Sequence, residues 1–323
     1  MGRAWGAMQQ FVLRRLALSV PTLLGIAILV FFSLRLMPGD VVDVLQGLEP
    51  TMTNEQAETL RRVLGLGKPL HEQFWGWAGA TVQGDLGESF YSERSVAGLI
   101  KARLPISLQL GMMSFAIGIL LAFPLGIISA LRPNTLLDYV VRTFSVFSLA
   151  APNYWLAIIA LLVLSKWLHW SPPVQYSHIT EDPVANMEKM ILPSLILGTG
   201  FAGALARYLR SALLEVLRQD YIVTARSKGL TERVVVWRHA LKNAFIPVLT
   251  VIGLYLAAIV GGSVIMEQIF TIPGTGFLLL QAIFQRDYPI VQGVVLVIAA
   301  SYVYINIFVD VLYAYADPRI RYS

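Results

Sequence analysis

The segment DYIVTARSKGLTERVVVWRHALKNAFIP, residues 220–247, is crowded with positive charge in a chain whose other long segments are apolar. It belongs to a linker carrying Arg207, Arg210, Arg218, Arg226, Lys228, Arg233, Arg238 and Lys242 against only Glu215, Asp220 and Glu232. At the centre of a bilayer each such cation costs about 2.5–3.5 kcal/mol, so the segment does not span and lies in water or against protein. Its pattern is helical on both sides of a break. Leu213, Leu214, Leu217 and Tyr221 form an apolar stripe running towards Ala225, and Gly229 is free to take the left-handed conformation that ends a helix. Thr231 is placed to cap a second helix, with Leu230 and Val235 as its hydrophobic staple. The expectation is helix, tight turn, helix.

Outward from this segment the chain reads as a membrane protein. Its 323 residues are 56% hydrophobic and only 14% charged, where soluble domains carry about a quarter charged residues. Six uncharged runs are near the length a helix needs to cross the hydrocarbon core: residues 16–34, 104–131, 143–165, 190–206, 243–266 and 288–309. Six spanning helices are therefore expected, the first uncleaved because no small-residue cleavage site follows it before Arg35, Met37 and Pro38. Short basic loops stay in the cytoplasm, which puts the fourth linker inside and, with six crossings, both termini inside. Arg3, Arg14 and Arg15 at one end and Arg319 and Arg321 at the other agree. The chain divides into residues 1–37, a cytoplasmic N-terminus with the first span; 38–103, an external linker; and 104–323, a five-helix core with the basic loop at 207–243 and a tail at 310–323.

The external linker has helical patterning of its own. In TNEQAETLRRVLGLGKPL, residues 53–70, Thr53 or Asn54 caps a helix with Leu60, Val63 and Leu64 on one face and Gly65 at its end. In LHEQFWGWAGATV, residues 70–82, Leu70, Phe74, Trp77 and Ala78 share a face suited to a membrane interface. GDLGESFYSERSV, residues 84–96, reads as a shaped external turn. Prolines recur within or at the start of the spans, at Pro21, Pro105, Pro124, Pro152, Pro193 and Pro247. Asn153 and Tyr154 follow one of them and are candidate pore-facing residues beside a kink, against the blander reading of interhelix packing.

Several chemistries leave no trace. Zinc-protease and serine-hydrolase motifs are missing, the four histidines are scattered, and GLGKP around Lys68 lacks the glycine spacing and following hydroxyl of a phosphate loop. No cysteine is present, which excludes thiolate metal sites and disulfides. Nothing ionisable lies inside the six runs, where ion-coupled carriers keep a carboxylate or histidine. No catalytic residue, metal site or bound cofactor is expected in this chain, and energy must come from outside it.

TARSKGL followed by RHALKNAFIP resembles the cytoplasmic coupling loop of binding-protein-dependent ABC transporter permeases, in the branch that includes dipeptide, oligopeptide and nickel importers. FSLRLMPGD, GDLGESF, IPGTGF, RDYPIVQG and DPRIRY, in that order, are similar to elements of the first permease subunit of that branch, so the resemblance covers nearly the whole chain. It implies an all-α polytopic membrane protein, the transmembrane domain of a type I ABC importer, in a bacterial or archaeal cytoplasmic membrane. The implied partners are a second, homologous permease, one or two ABC ATPase subunits that hold ATP and magnesium, an external solute-binding protein and the lipid bilayer, with no nucleic acid. Thr224, Ala225, Arg226, Lys228, Gly229 and Leu230 are the implied ATPase-docking knuckle: Leu230 the apolar anchor, Arg226 and Lys228 the rim charges, Gly229 the turn. Peptides are the expected solute. Oligosaccharide and nickel chelate stay open, as do the other classes of reading, an ATP-independent secondary carrier or channel and a non-transporting scaffold.

Overall fold

The computed structural model describes residues 2–49, 51–259, 261 and 264–316, with side chains placed between residues 13 and 311. The DPRIRY motif, Arg319, Arg321 and the side chain of Arg3 lie outside the described residues. Among the described residues five helices are long and apolar enough to cross a membrane. They are α1 (Gly2–Leu36), α5 (Val96–Leu131), α8 (Pro183–Leu217), α11 (Leu241–Ile259) and α14 (Tyr288–Ala316). A bent pair, α6 (Leu136–Ala150) and α7 (Asn153–Leu168), turns through 103° at its break and brings the number to six if it is taken as one span.

The expected straight third span is thus corrected to a broken one. Pro152 has no N–H to give and holds Ala151 in an extended conformation (ψ 122°), so α6 ends and α7 restarts with Pro152 as its N-cap. The fifth span is corrected too: α11 stops at Ile259, and Val264 begins a separate short helix, α12 (Val264–Ile269), followed by α13 (Thr275–Gln285). Spans two and four both reach past their uncharged runs, and in span four the cation at that end finds partners. Lys189, in α8, is 1% exposed, and its ammonium donates to the carbonyls of Pro173 (2.6 Å) and Val174 (2.9 Å) and to Thr271 Oγ1 (3.0 Å). The division drawn at residue 103 falls inside α5.

Lipid tails are as apolar as leucine, so the bundle is held by close packing of small residues rather than by a difference in hydrophobicity. Helices α5 and α8 approach most closely where Gly118 faces Phe201 and Gly198 faces the Ser114 carbonyl; a Cβ on Gly198 would lie 2.8 Å from that oxygen. Arg15, near the start of α1, pairs with Asp310, near the end of α14, at 3.1 Å, so the two ends of the described chain lie together.

Outside the bundle, α2 (Val41–Leu48) and α3 (Asn54–Val63) pack on each other through Val41, Val42 and Ala57. Asp40 and Thr53 each close a full capping box, with Asp43 and Gln56, and Gly65 turns left-handed (φ +70°) after α3. Val63, expected on the inner face of α3, is 77% exposed; Ala57, Leu60 and Leu64 face inward instead. In α4 (Leu70–Val82), Phe74 packs edge-on to Phe31 of α1 at 5.2 Å, and Trp77 lies 5.5 Å from the same ring, so α4 rests on the first span.

Candidate functional site

The basic segment folds as helix, turn, helix. Helix α9 (Asp220–Ser227) ends on Lys228, and Gly229 takes φ +78°. Gly229 N–H donates to the Arg226 carbonyl at 2.9 Å and Leu230 N–H to the Ala225 carbonyl at 3.4 Å, the paired bonds of a Schellman stop. After the turn, α10 (Glu232–Val234) runs through one π-helical stretch, Val235–Ala240, into α11. The wider π turn directs Val235, Val236 and Ala240 all inward, at 3% exposure or less.

Anchoring is what separates this loop from a tether. Ile222 and Ala225 on one side of the break and Val235 and Ala240 on the other belong to the same buried cluster as Leu205, Leu209 and Leu213 of α8 and Ala244 and Val248 of α11. Asn243 Nδ2 donates to the Tyr221 hydroxyl at 2.7 Å, tying α9 to α11. Across the break Arg226 Nε donates to Glu232 Oε1 at 2.7 Å and Nη2 to Oε2 at 3.3 Å. The turn therefore moves as one piece with the fourth and fifth spans.

Of the six residues singled out in sequence, Thr224, Arg226, Lys228, Gly229 and Leu230 are exposed at the tip. Ala225 instead faces the core at 7% exposure, and Arg226 is held in its ion pair rather than standing free. Thr231 occupies the N-cap position but makes no side-chain capping bond, so Glu232 at the first helical position acts through Arg226. At the other end of the bend, Asn153 lines two cavities of about 530 and 250 Å³ that share it with Leu197, Tyr255 and Ala258. Ser107 and Ser114 add hydroxyls to the smaller one. Tyr154 lines neither and is 48% exposed.

At the end of the spans away from the elbow three separate motifs meet, which spacing alone did not reveal. Ser89 of the 84–96 turn donates to Asp287 Oδ2 at 2.5 Å, and Tyr91 N–H to the same oxygen at 3.3 Å. Arg286 donates to the Pro38 carbonyl and Tyr288 to that of Gly39 at 3.4 Å, while Arg35 lies over the Phe31 ring at 3.5 Å. A second junction joins α5 to α12 and α13: Glu267, fully buried, accepts from Ser107 at 2.7 Å and from Phe277 N–H at 2.8 Å. A glutamate directly after an apolar run reads as a helix end, so only the fold shows it inside.

Among the described residues the chain is a helical, multi-span membrane protein with a basic elbow between α8 and α11, an architecture that membrane transport components share. Residues 122–322 match the family described as binding-protein-dependent transport system inner membrane component, and residues 8–111 match its N-terminal membrane component model. The chain belongs to this family. It is 39% identical over 98% of its length to the whole of the oligopeptide transport system permease protein AppB of Bacillus subtilis. It is 40% identical, over 98% of the chain and all of the relative, to a putative peptide transport system permease protein of Brucella abortus, and 38% identical, with the same coverage, to the di/tripeptide transport system permease protein DppB of Pseudomonas aeruginosa.

Proposed function

We propose that this chain is the permease subunit of an ATP-driven importer and forms half of a membrane path for peptides. The peptide class is supported by relatives whose names specify oligopeptide and di/tripeptide transport and which align along their whole length. In this reading the basic elbow and both termini face the cytoplasm of a bacterial or archaeal cell. A second permease completes the path, one or two ATPase subunits carry ATP and magnesium, and an external binding protein delivers the solute.

The observation that carries the mechanism is the anchored break at Gly229. Moving a two-state equilibrium from 1:99 to 99:1 takes about 5.5 kcal/mol of differential binding, and a slack loop would dissipate it. Here the tip is continuous with the cores of α8 and α11 through Ile222, Ala225, Val235 and Ala240, so a displacement of the tip is a displacement of the spans. Leu230, at 39% exposure, is the apolar anchor for the ATPase, and Thr224 and Lys228 are its rim. Ala225 supports the tip from within, and Arg226, through Glu232, fixes the angle between its two helices.

The solute path runs by Asn153, where the broken span opens cavities with no charged lining among the described residues. An uncharged, hydroxyl- and amide-bearing wall meets peptide main-chain groups without sorting side-chain charge, leaving selection to the binding protein. Purification in mild detergent with native neighbours tests the reading: a stoichiometric ATPase that crosslinks to a cysteine replacing Lys228 supports it, and uptake in vesicles lacking any ATPase would overturn it.

A further inference from the structure

We propose that a large cavity on the side of the bundle that carries the elbow holds the phosphate headgroup of an anionic phospholipid. The assignment rests on the cytoplasmic orientation proposed above. The cavity, about 970 Å³, lies between the α5–α6 corner, the end of α8 and the second helix of the elbow, and its charged lining is Arg132, Arg210, Arg218, Arg226, Arg233 and Glu232. Two of the cations are already matched. Arg210 makes a two-pronged pair with buried Asp138, Nε to Oδ1 at 2.7 Å and Nη2 to Oδ2 at 2.8 Å, and Arg226 pairs with Glu232. Arg132, Arg218 and Arg233 form no ion pair among the described residues.

Arg132 and Arg218 are the C-caps of α5 and α8, so part of their charge answers the helix dipoles. Each dipole end supplies only about half an elementary charge. A net excess of cation is left around a space large enough for a headgroup. The guanidinium fork fits phosphate oxygens in bidentate fashion.

Lipid is favoured over a soluble phosphate by depth and by the remaining walls. Arg132 directly follows Leu131, the last residue of a spanning helix, which sets the site at the membrane boundary. Leu131, Leu214, Leu217 and Trp237 give it an apolar side, with Leu131 42% and Trp237 59% exposed, and tryptophan prefers the headgroup level. Basic pockets between spans on the cytoplasmic side are suited to anionic headgroups.

The test uses the full chain in mild detergent with phosphatidylglycerol or phosphatidylcholine brominated in the acyl chain. The chain has seven tryptophans, so the signal of Trp237 is taken as the difference between the chain and its Trp237→Phe variant. Phosphatidylglycerol is expected to quench Trp237 at concentrations at least about five-fold lower than phosphatidylcholine, since one surface arginine contributes roughly that factor. The preference should vanish in the triple variant Arg132→Gln, Arg218→Gln, Arg233→Gln and persist in Lys242→Gln, which removes a cation outside the cavity; unchanged melting of the triple variant shows that it folds. Equal quenching by both lipids, or a preference that survives the triple variant, overturns the proposal. So does displacement of the lipid by millimolar inorganic phosphate, which would mark a soluble-phosphate site, or loss of the preference in the assembled complex, which would assign the cavity to the ATPase. Labelling of a cysteine at position 228 by an impermeant maleimide from outside the cell would overturn the orientation instead, a result independent of the quenching.

Discussion

At the scale of single residues, the decisive position is Gly229. A Cβ there would meet nothing within 4 Å, so the constraint is the backbone at φ +78° and not crowding. A left-handed conformation costs an ordinary L-residue about 1–2 kcal/mol, less for asparagine. Gly229→Val is therefore expected to enter the membrane normally yet uncouple ATP hydrolysis from uptake in reconstituted vesicles, while Gly229→Asn retains most transport; full uptake by the valine variant would remove the rigid turn from the mechanism. Asp138 shows the limit of reading residues in isolation. In sequence it is one acid near the start of the third span, and in the fold it is completely buried against Arg210 and Ser129, the latter donating at 2.6 Å. Breaking a buried pair by removing one partner costs about 3–5 kcal/mol, whereas an apolar replacement of both is often tolerated. Asp138→Ala should lower thermal stability in detergent markedly, and Asp138→Leu combined with Arg210→Met should recover most of it. Gly229 was legible because a helix stop is a local event; Asp138 was not, because its partner lies far along the chain.

At the scale of elements, the turn at residues 84–96 looked like a shaped loop and turns out to be a clasp. Asp287, wholly buried, receives Ser89 and Tyr91 from it. Asp287→Ala would leave the buried Ser89 hydroxyl without its acceptor, at about 1–3 kcal/mol. Trypsin should then cut at exposed Arg94 roughly ten-fold faster, and an unchanged rate would show that the clasp does not hold the turn. The α5–α8 contact makes the opposite demand, for nothing beyond hydrogen at Gly198. Gly198→Leu drives a side chain into the Ser114 carbonyl and Ile117 and is expected to abolish a monodisperse folded chain on size-exclusion chromatography. Elements with local causes were readable: the capped α3, the aromatic face of α4, the two helices of the elbow. The 103° bend was only half readable, since Pro152 announces a kink but its angle follows from what α6 and α7 pack against. The π turn left no sequence signal, because directing Val235 and Val236 both inward is an answer to the neighbouring helices.

At the scale of the whole molecule, the chain belongs to a family of transport-system inner membrane components, and transport by such a chain is a property of an assembly. Leu120 on α5, Leu162 on α7 and Leu254 on α11 are each more than half exposed, a surface for lipid or a partner chain to cover. If the proposed coupling is right, a cysteine at Leu230 should crosslink to an ATPase subunit in the assembled complex; failure to capture any such subunit there would defeat it. The sequence by itself determined the solvent of this protein, the place of its long apolar helices and the place of its elbow. Those depend on runs of hydropathy, on charge and on caps, all of which act over a few residues. Tertiary structure alone decided that Ala225 turns inward, that Arg226 closes on Glu232, that Glu267 and Lys189 are buried and that three distant motifs share one clasp. These depend on which surfaces meet across the bundle, and contacts between residues far apart in the chain leave no periodicity from which to read them.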